Sequence, residues 1–69
     1  MVKGTVTWFS EQKGYGFISP DNGNESVFVH YTDIAGSGFR SLKEGERVSY
    51  VPARVPRGRI VARKVYRAE

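Results

Sequence analysis

The chain is built from short strand-like segments separated by turn residues, and this pattern restricts it to an all-β fold. Val, Ile, Thr and aromatic residues are concentrated in five segments, with Gly, Pro, Asn and Asp between them. We predict strands over residues 2–10, 15–19, 26–31, 47–53 and 60–66. No stretch carries helical periodicity over the roughly 10 to 12 residues that a helix requires, although residues 31–34 are compatible with a single turn.

The length of the chain favours one small closed barrel. A chain of 69 residues buries only about 60% of its unfolded surface, so we expect a single domain over residues 1–69 with marginal stability. The chain has no cysteine to add disulfides or thiolate metal sites. A closed or partly closed five-stranded barrel leaves few unpaired strand edges and is therefore the architecture that we predict.

The charge of the chain is basic and unevenly distributed. It has 11 Lys and Arg against 7 Asp and Glu, and six of the cations lie in the last strand-like segment and its approach: Arg54, Arg57, Arg59, Arg63, Lys64 and Arg67. This excess favours a polyanion as partner. A solvated basic surface that keeps a small protein soluble explains the same charges.

The sequence predicts a cytoplasmic protein without membrane association. No apolar run approaches the length of about 20 residues that spans a bilayer. The first residues, MVKGTVTWF, lack the charged and apolar regions of a secretory signal.

Two neighbouring segments, KGYGFISP and VFVHY, carry an unusual concentration of rings. Because alternate side chains of a strand point to opposite faces, Tyr15 and Phe17 share one face of the first, and Phe28 and His30 share one face of the second. The intervening PDNGNE suits a hairpin loop, which puts Phe17 opposite Phe28 and Tyr15 opposite His30. The side chains that then pack inward are Ile18, Val27 and Val29.

The opposite arrangement, with the rings as core and the aliphatic side chains outside, is the alternative. Gly16 argues against it, since a Gly is easily packed beneath a crowded ring face, and the polar groups of Tyr15 and His30 favour a solvated side. An exposed array of rings beside cations suits unpaired bases, because every base has a π-face and stacking contributes about 1 to 3 kcal/mol per base. We therefore predict sequence-tolerant binding of single strands.

KGYGFI and VFVHY look like the two ribonucleoprotein motifs, and TVTWFSEQKGYGFI and DIAGSGFRSLKEGERVSY, in that order, resemble the bacterial cold-shock domain. An RNA-recognition motif needs two helices that this chain lacks. The resemblance implies a five-stranded antiparallel β-barrel of the OB-fold type that holds single-stranded RNA or DNA, preferably pyrimidine-rich, on strands two and three. It also implies an RNA chaperone, or a regulator of transcription or translation.

Carried over residue by residue, the resemblance names the binding residues. The stacking residues are Trp8, Tyr15, Phe17, Phe28, His30 and Phe39. Lys13 and either Arg57 or Arg59 reach the phosphates. The last strand can be aligned with either arginine at the phosphate-contacting position, and the choice also decides which of residues 60–62 point inward.

Three aromatic residues need separate treatment. Simple alternation puts Trp8 on the same face as Val6, so either a bulge intervenes or Trp8 belongs to the core; we expect it to be exposed because the resemblance places a ligand-facing Trp there. The orientation of Phe9 stays open. Tyr31 is in line with the inward-facing Val29, so we predict that it packs beneath the edge of the ring array.

The chain departs from the usual cold-shock pattern at several polar positions. Thr7 stands where many members carry a lysine, Ser10 replaces an asparagine and Ser26 replaces an acid. The last segment, PRGRIVARKV, is more basic and bulkier than usual. We therefore hypothesise that part of the electrostatic contact has moved from the first strand to the loop before the last strand.

The sequence offers little for catalysis. His30 is the single histidine, and no carboxylates are paired as an acid and base or as a metal cluster. We predict a monomeric binding protein with no enzymatic activity, cofactor or metal. Two rival hypotheses are a small ribonuclease that uses His30 with an arginine, and a protein-binding barrel, because aromatic and Arg-rich patches also form interface hot spots.

Overall fold

Strands form where the β-branched and aromatic segments lie. The computed structural model describes residues 1–23, 25–35 and 41–67, without the side chain of Arg57. These residues form β1 (Val2–Ser10), β2 (Tyr15–Pro20), β3 (Val27–His30), β4 (Arg47–Arg54) and β5 (Ile60–Arg67), with 3-10 helices at Tyr31–Asp33 and Pro56–Gly58. Every predicted strand is confirmed, and each end lies within one residue of its prediction. None of the helical segments in this part of the chain is long and apolar enough to cross a membrane.

The strands close into a barrel in the order β1-β2-β3-β5-β4, which confirms the predicted fold class. Adjacent strands are antiparallel except β3 and β5, which run parallel with Phe28 opposite Val61. This one exception to the antiparallel expectation has a topological cause. A ring with an odd number of strands cannot alternate direction all the way round, so one neighbouring pair has to be parallel.

The barrel interior is mainly aliphatic and includes one buried tyrosine, Tyr50. Ile18, Val27 and Val29 point inward, as predicted. The last strand contributes Val61 and Ala62, whereas Ile60 is 41% exposed, which settles the inward positions that the sequence left open. The other core side chains are Val6, Ile34, Leu42, Val48, Tyr50 and Val65. Burial, followed by the charge of Asp21, raises the pKa of the Tyr50 hydroxyl.

A β-bulge in β1 decides the orientation of Trp8. Val6 pairs with Ile18 and Trp8 pairs with Phe17, so Thr7 is an extra residue on β1. The Thr7 hydroxyl donates to the Phe17 carbonyl oxygen at 3.3 Å and occupies this irregular position. Because a bulge shifts the alternation by one residue, Val6 stays inside while Trp8 turns outward. Phe9, which follows, is half-buried and packs against the core.

A second bulge lies in β5, opposite β4. Ser49 pairs with Tyr66 and Val51 pairs with Arg63, so β5 spans this interval with one more residue than β4. Lys64 adopts the left-handed region here, with φ of 50°. The extra residue places Val65 inside the barrel and leaves Arg63 and Tyr66 on the outer face.

An ion pair ties the loop between β2 and β3 to the start of β4. The Arg47 guanidinium donates to both carboxylate oxygens of Asp21, at 2.7 and 2.5 Å, and to the Thr5 hydroxyl at 2.8 Å. A guanidinium that binds a carboxylate through two hydrogen bonds has a defined geometry as well as an attraction. The loop is therefore held against β1 and β4 on the outside of the barrel.

We expect Asp21→Asn to lower the stability at neutral pH but not in acid. The hydrogen bond from Arg47 holds the pKa of Asp21 below its ordinary value of 3.8. A carboxyl group with a depressed pKa in the folded state stabilises the protein above the unfolded pKa of about 3.9, and this contribution is lost as the pH falls through the folded pKa. Urea unfolding of both proteins at pH 7 and below pH 3 measures the difference.

Asp33→Asn is the matched control for this prediction. The Asp33 carboxylate lies 3.5 Å from the Arg63 guanidinium, a longer and weaker contact. Its substitution should therefore change the stability at pH 7 less than Asp21→Asn does. A stability difference between wild type and Asp21→Asn that is the same at both pH values would contradict the role of the ion pair.

Candidate nucleic-acid interface

Aromatic side chains cover the outer faces of the first three strands. β1 contributes Trp8, β2 contributes Tyr15 and Phe17, and β3 contributes Phe28 and His30; with Tyr31 we call this surface the ring face. Phe17 pairs with Phe28 and Tyr15 pairs with His30, so the predicted register is confirmed. The alternative with the aliphatic side chains outside is wrong, since Ile18 and Val29 are fully buried.

The rings of the ring face are contiguous. Tyr15 and Phe28 lie 5.5 Å apart between ring centroids, and Phe17 and Phe28 lie 6.0 Å apart. Trp8 lies 5.7 Å from Tyr15 and 6.2 Å from Phe17, which joins β1 to the array. Trp8 is 38% and Phe17 37% exposed although both are large and apolar. The side chains therefore support one another laterally while solvent reaches the array from outside.

His30 is held in place by the helical turn that follows it. Its Nδ1 accepts a hydrogen bond from the Thr32 backbone N–H at 3.4 Å and lies 3.0 Å from the Thr32 hydroxyl. The ring centroid of His30 is 6.5 Å from that of Phe28, with the two planes 28° apart. The His30 ring consequently continues the array and is roughly parallel to the Phe28 ring.

The prediction that Tyr31 packs beneath the ring array is wrong. Tyr31 is 45% exposed, and its ring lies 4.7 Å from that of His30. β3 ends at His30 and a 3-10 helix begins at Tyr31, so the alternation that aligned Tyr31 with Val29 no longer applies. Tyr31 also covers Gly14, where a Cβ would lie 2.8 Å from the tyrosine ring. The structure thus adds Tyr31 to the exposed rings, and the turn already indicated at residues 31–34 was the signal for it.

Lys13 lies in the turn that connects β1 to β2, beside the Tyr15 end of the ring face. The Ser10 hydroxyl accepts a hydrogen bond from the Lys13 backbone N–H at 3.2 Å, and the Ser10 carbonyl accepts from Gly14 at 2.7 Å. Tyr31 in turn donates its backbone N–H to the Gly14 carbonyl at 2.8 Å. The Lys13 side chain is exposed at this edge, as its predicted role requires.

The remaining predicted site residues are not all described. Phe39 lies outside the described residues, and so does the side chain of Arg57. Arg59 is exposed just before β5, where it lines a groove of about 850 Å³ at one end of the barrel. Phe17 and Phe28 line the same groove, so it begins where the ring face ends.

A closed five-stranded barrel with aromatic rings on the outer faces of three adjacent strands belongs to the class of OB-fold proteins. The sequence matches the 'Cold-shock' DNA-binding domain over residues 2–68, and the chain belongs to this family, whose members are generally nucleic-acid-binding.

Known proteins with similar sequences carry the same family name in most cases. Probable cold shock protein A of Mycolicibacterium smegmatis is 52% identical over 58 residues, which cover 84% of this chain and 87% of that protein. The cold shock-like protein CspA of Bordetella pertussis is 48% identical over 58 residues, which again cover 84% of this chain and 87% of that protein. Glycine-rich protein 2 of Nicotiana sylvestris is 62% identical over 49 residues, which cover 71% of this chain but only 23% of that longer protein.

Proposed function

We propose that this protein binds single-stranded RNA and DNA by stacking unpaired bases on the ring face. The observation that carries the proposal is the contiguous ring array on the outer face of β1, β2 and β3 in a member of a nucleic-acid-binding family. A duplex buries its base faces within the helix, whereas an unpaired base can lie on an aromatic ring. The stacking residues proposed are Trp8, Tyr15, Phe17, Phe28, His30, Tyr31 and Phe39.

Binding of this kind makes the protein an RNA chaperone. Occupation of unpaired segments shifts hairpins toward the open state by mass action, by about 2.7 kcal/mol when the free protein is at 100 times its dissociation constant. No energy source is consumed, so the effect lasts only while the protein is abundant. We propose that the protein works as a cytoplasmic monomer, a single domain over residues 1–69, with a preference for pyrimidine-rich strands and no enzymatic activity.

Fluorescence of Trp8, the single tryptophan, tests this function directly. A single strand should change the emission saturably, whereas the same sequence in a duplex should have little effect. A protein that responds to neither, and that leaves labelled hairpins closed, would be a protein-binding barrel instead. Cleavage of the labelled RNA would support the ribonuclease hypothesis.

Phosphate contacts should make the binding sensitive to salt. We propose that Lys13 and at least one of Arg57 and Arg59 provide these contacts. For single strands the logarithm of the affinity falls with the logarithm of the salt concentration by about 0.7 per phosphate contact. We expect the double substitution of Arg57 and Arg59 by Gln to weaken all sequences similarly and to reduce this slope by about 0.7 to 1.4 on a strand of about ten nucleotides.

Titrations between low and moderate salt measure the slope for both proteins. Lys43→Gln is the control, because Lys43 lies in the turn next to Glu46 and away from the ring face. An unchanged slope in the double variant would place the phosphate contacts elsewhere. It would also contradict the hypothesis that the loop before β5 replaces the lysine missing at Thr7.

A further inference from the structure

The groove at the end of the barrel continues the ring face beyond its last ring. Phe17 and Phe28 form one edge of the groove, and the other walls come from the β2–β3 connection, β4 and the start of β5. Its volume of about 850 Å³ lies within the range of roughly 300 to 1,000 Å³ that is usual for small-molecule sites. A strand lying on Phe17 and Phe28 therefore has a concave site directly beside it.

The walls of the groove are suited to the flat face of a base. The exposed Pro52 and Ile60 line it, with the buried Pro20 and Tyr50 beneath them. Ile60 is 41% exposed while the residues that follow it, Val61 and Ala62, are buried. Ile60 therefore offers apolar surface inside the groove, and a base that lies on it would remove this surface from water.

The groove also contains one cation, and no ion pair among the described residues uses it. The ion pairs among the described residues join Arg47 to Asp21, Arg63 to Asp33 and Arg67 to Glu46, whereas Arg54 and Arg59 take part in none of them. Arg59 lines the groove and is exposed. A guanidinium in this position presents a planar set of donors that matches phosphate geometry.

We propose that the groove binds one further nucleotide of the strand on the ring face, with its base against Ile60 and Pro52 and its phosphate on Arg59. This inference rests on the proposed function, since the ring face has to hold the rest of the strand. Glu25, which lines the same groove, is an acceptor only. It therefore suits a base with an amino group, as the N4 amino group of cytosine does for carboxylates elsewhere.

The test compares a reference strand with the same strand extended by one cytidine. The reference is the shortest polyuridine whose affinity for the Ile60→Ala variant no longer rises when the strand is lengthened. The cytidine is added to the 5′ end in one extended strand and to the 3′ end in the other. For the wild type we expect one of the two extensions to bind about five- to tenfold more tightly than the reference, in line with the stacking of one base. An abasic extension should give a smaller gain.

The decisive quantity is the dissociation constant of the reference strand divided by that of the cytidine-extended strand. Arg59→Gln and Ile60→Ala should each bring the ratio close to one, whatever they do to the reference strand, and Lys43→Gln should leave it unchanged. If Arg59 serves only the ring face, its substitution weakens both strands equally, the ratio stays at the wild-type value and the inference is overturned. No gain at either end in the wild type overturns it too, whereas a reference strand that fails to bind contradicts the proposed function itself.

The role of Glu25 has its own measurement. A terminal cytidine should bind about threefold or more tightly than a terminal uridine in the wild type, and Glu25→Gln, whose amide offers both donor and acceptor, should remove this preference. Equal affinities for the two bases in the wild type would overturn the assignment of Glu25.

Discussion

Replacing Gly16 by Ala is expected to remove a large part of the stability of the protein. Gly16 lies opposite Phe9, just after the bulge that turns Trp8 outward. A Cβ at this position would lie 2.8 Å from the Phe9 Cα and 2.6 Å from its Cδ1, and it would also collide with the Trp8 carbonyl oxygen. Because two of these atoms belong to the backbone of β1, the strand itself has to move. We expect the cost to reach or exceed the upper end of the usual 1 to 3 kcal/mol or so for overpacking.

Gly23→Ala is the matched control for this experiment. Gly23 has φ of 83°, but no atom lies within 4 Å of a Cβ built there. Its substitution should therefore cost only the strain of a left-handed residue, about 1 to 2 kcal/mol. Thermal unfolding followed by Trp8 fluorescence measures both variants. A Gly16→Ala protein as stable as Gly23→Ala would show that β1 does not approach β2 as closely as described.

Truncation of the ring face should separate binding from stability. Phe17→Ala or Phe28→Ala removes a stacking surface, so we expect the affinity for single strands to fall by about 1 to 3 kcal/mol for each change. The free energy of unfolding should change far less than the 3 to 5 kcal/mol or so that a buried Phe costs. Oligonucleotide titration and thermal unfolding have to be measured on the same variants.

The inward neighbours of these rings are the matched controls. Ile18 and Val29 are fully buried in the same two strands. Ile18→Ala and Val29→Ala should each cost about 2 kcal/mol or more of a small total stability, with binding lost only as the protein unfolds. The opposite result, in which the phenylalanine variants unfold and Ile18→Ala is tolerated, would mean that the rings form the core.

Alternation and turn chemistry were enough to predict the strands and the register of the hairpin. Phe17 and Phe28 are register partners, because aromatic and aliphatic or Gly positions alternate along both strands and the loop between them is rich in Asn and Gly. The sequence pattern indicates that Gly16 is a small residue beneath the rings. The structure gives a stronger reason, since Gly16 leaves space for the backbone of β1 at the Trp8 bulge.

Features that depend on where a regular pattern stops were harder to predict. Tyr31 was assigned to the inward face because the alternation of β3 was extended one residue beyond the end of the strand. The orientation of Trp8 was correct only through the resemblance to the cold-shock domain. The bulge at Thr7 has no local signal, since the hydroxyl of the extra residue finds its partner, the Phe17 carbonyl oxygen, on a different strand.

The groove could not be predicted because its walls are distant in sequence. Pro20, Pro52 and Ile60 meet only after β4 and β5 have closed the barrel. In the sequence, Arg59 is one of several arginines, and only its place in the wall of the groove, together with the absence of an ion pair to a described acid, sets it apart. Closure of the barrel is therefore what gives these residues a shared surface.

The parallel junction of β3 with β5 gives the barrel a place where it opens first. Among the described residues this junction has one register pair in the strands, Phe28 with Val61, and one isolated bridge, Ile34 with Val65. Local unfolding begins where few backbone hydrogen bonds have to break. If a nucleic-acid strand binds as proposed, on Phe28 and Arg59, it crosses this junction and should hold β3 and β5 together. Amide hydrogens along β3 should therefore exchange sooner than those of β1 in the free protein, and should be the ones that a bound strand slows most.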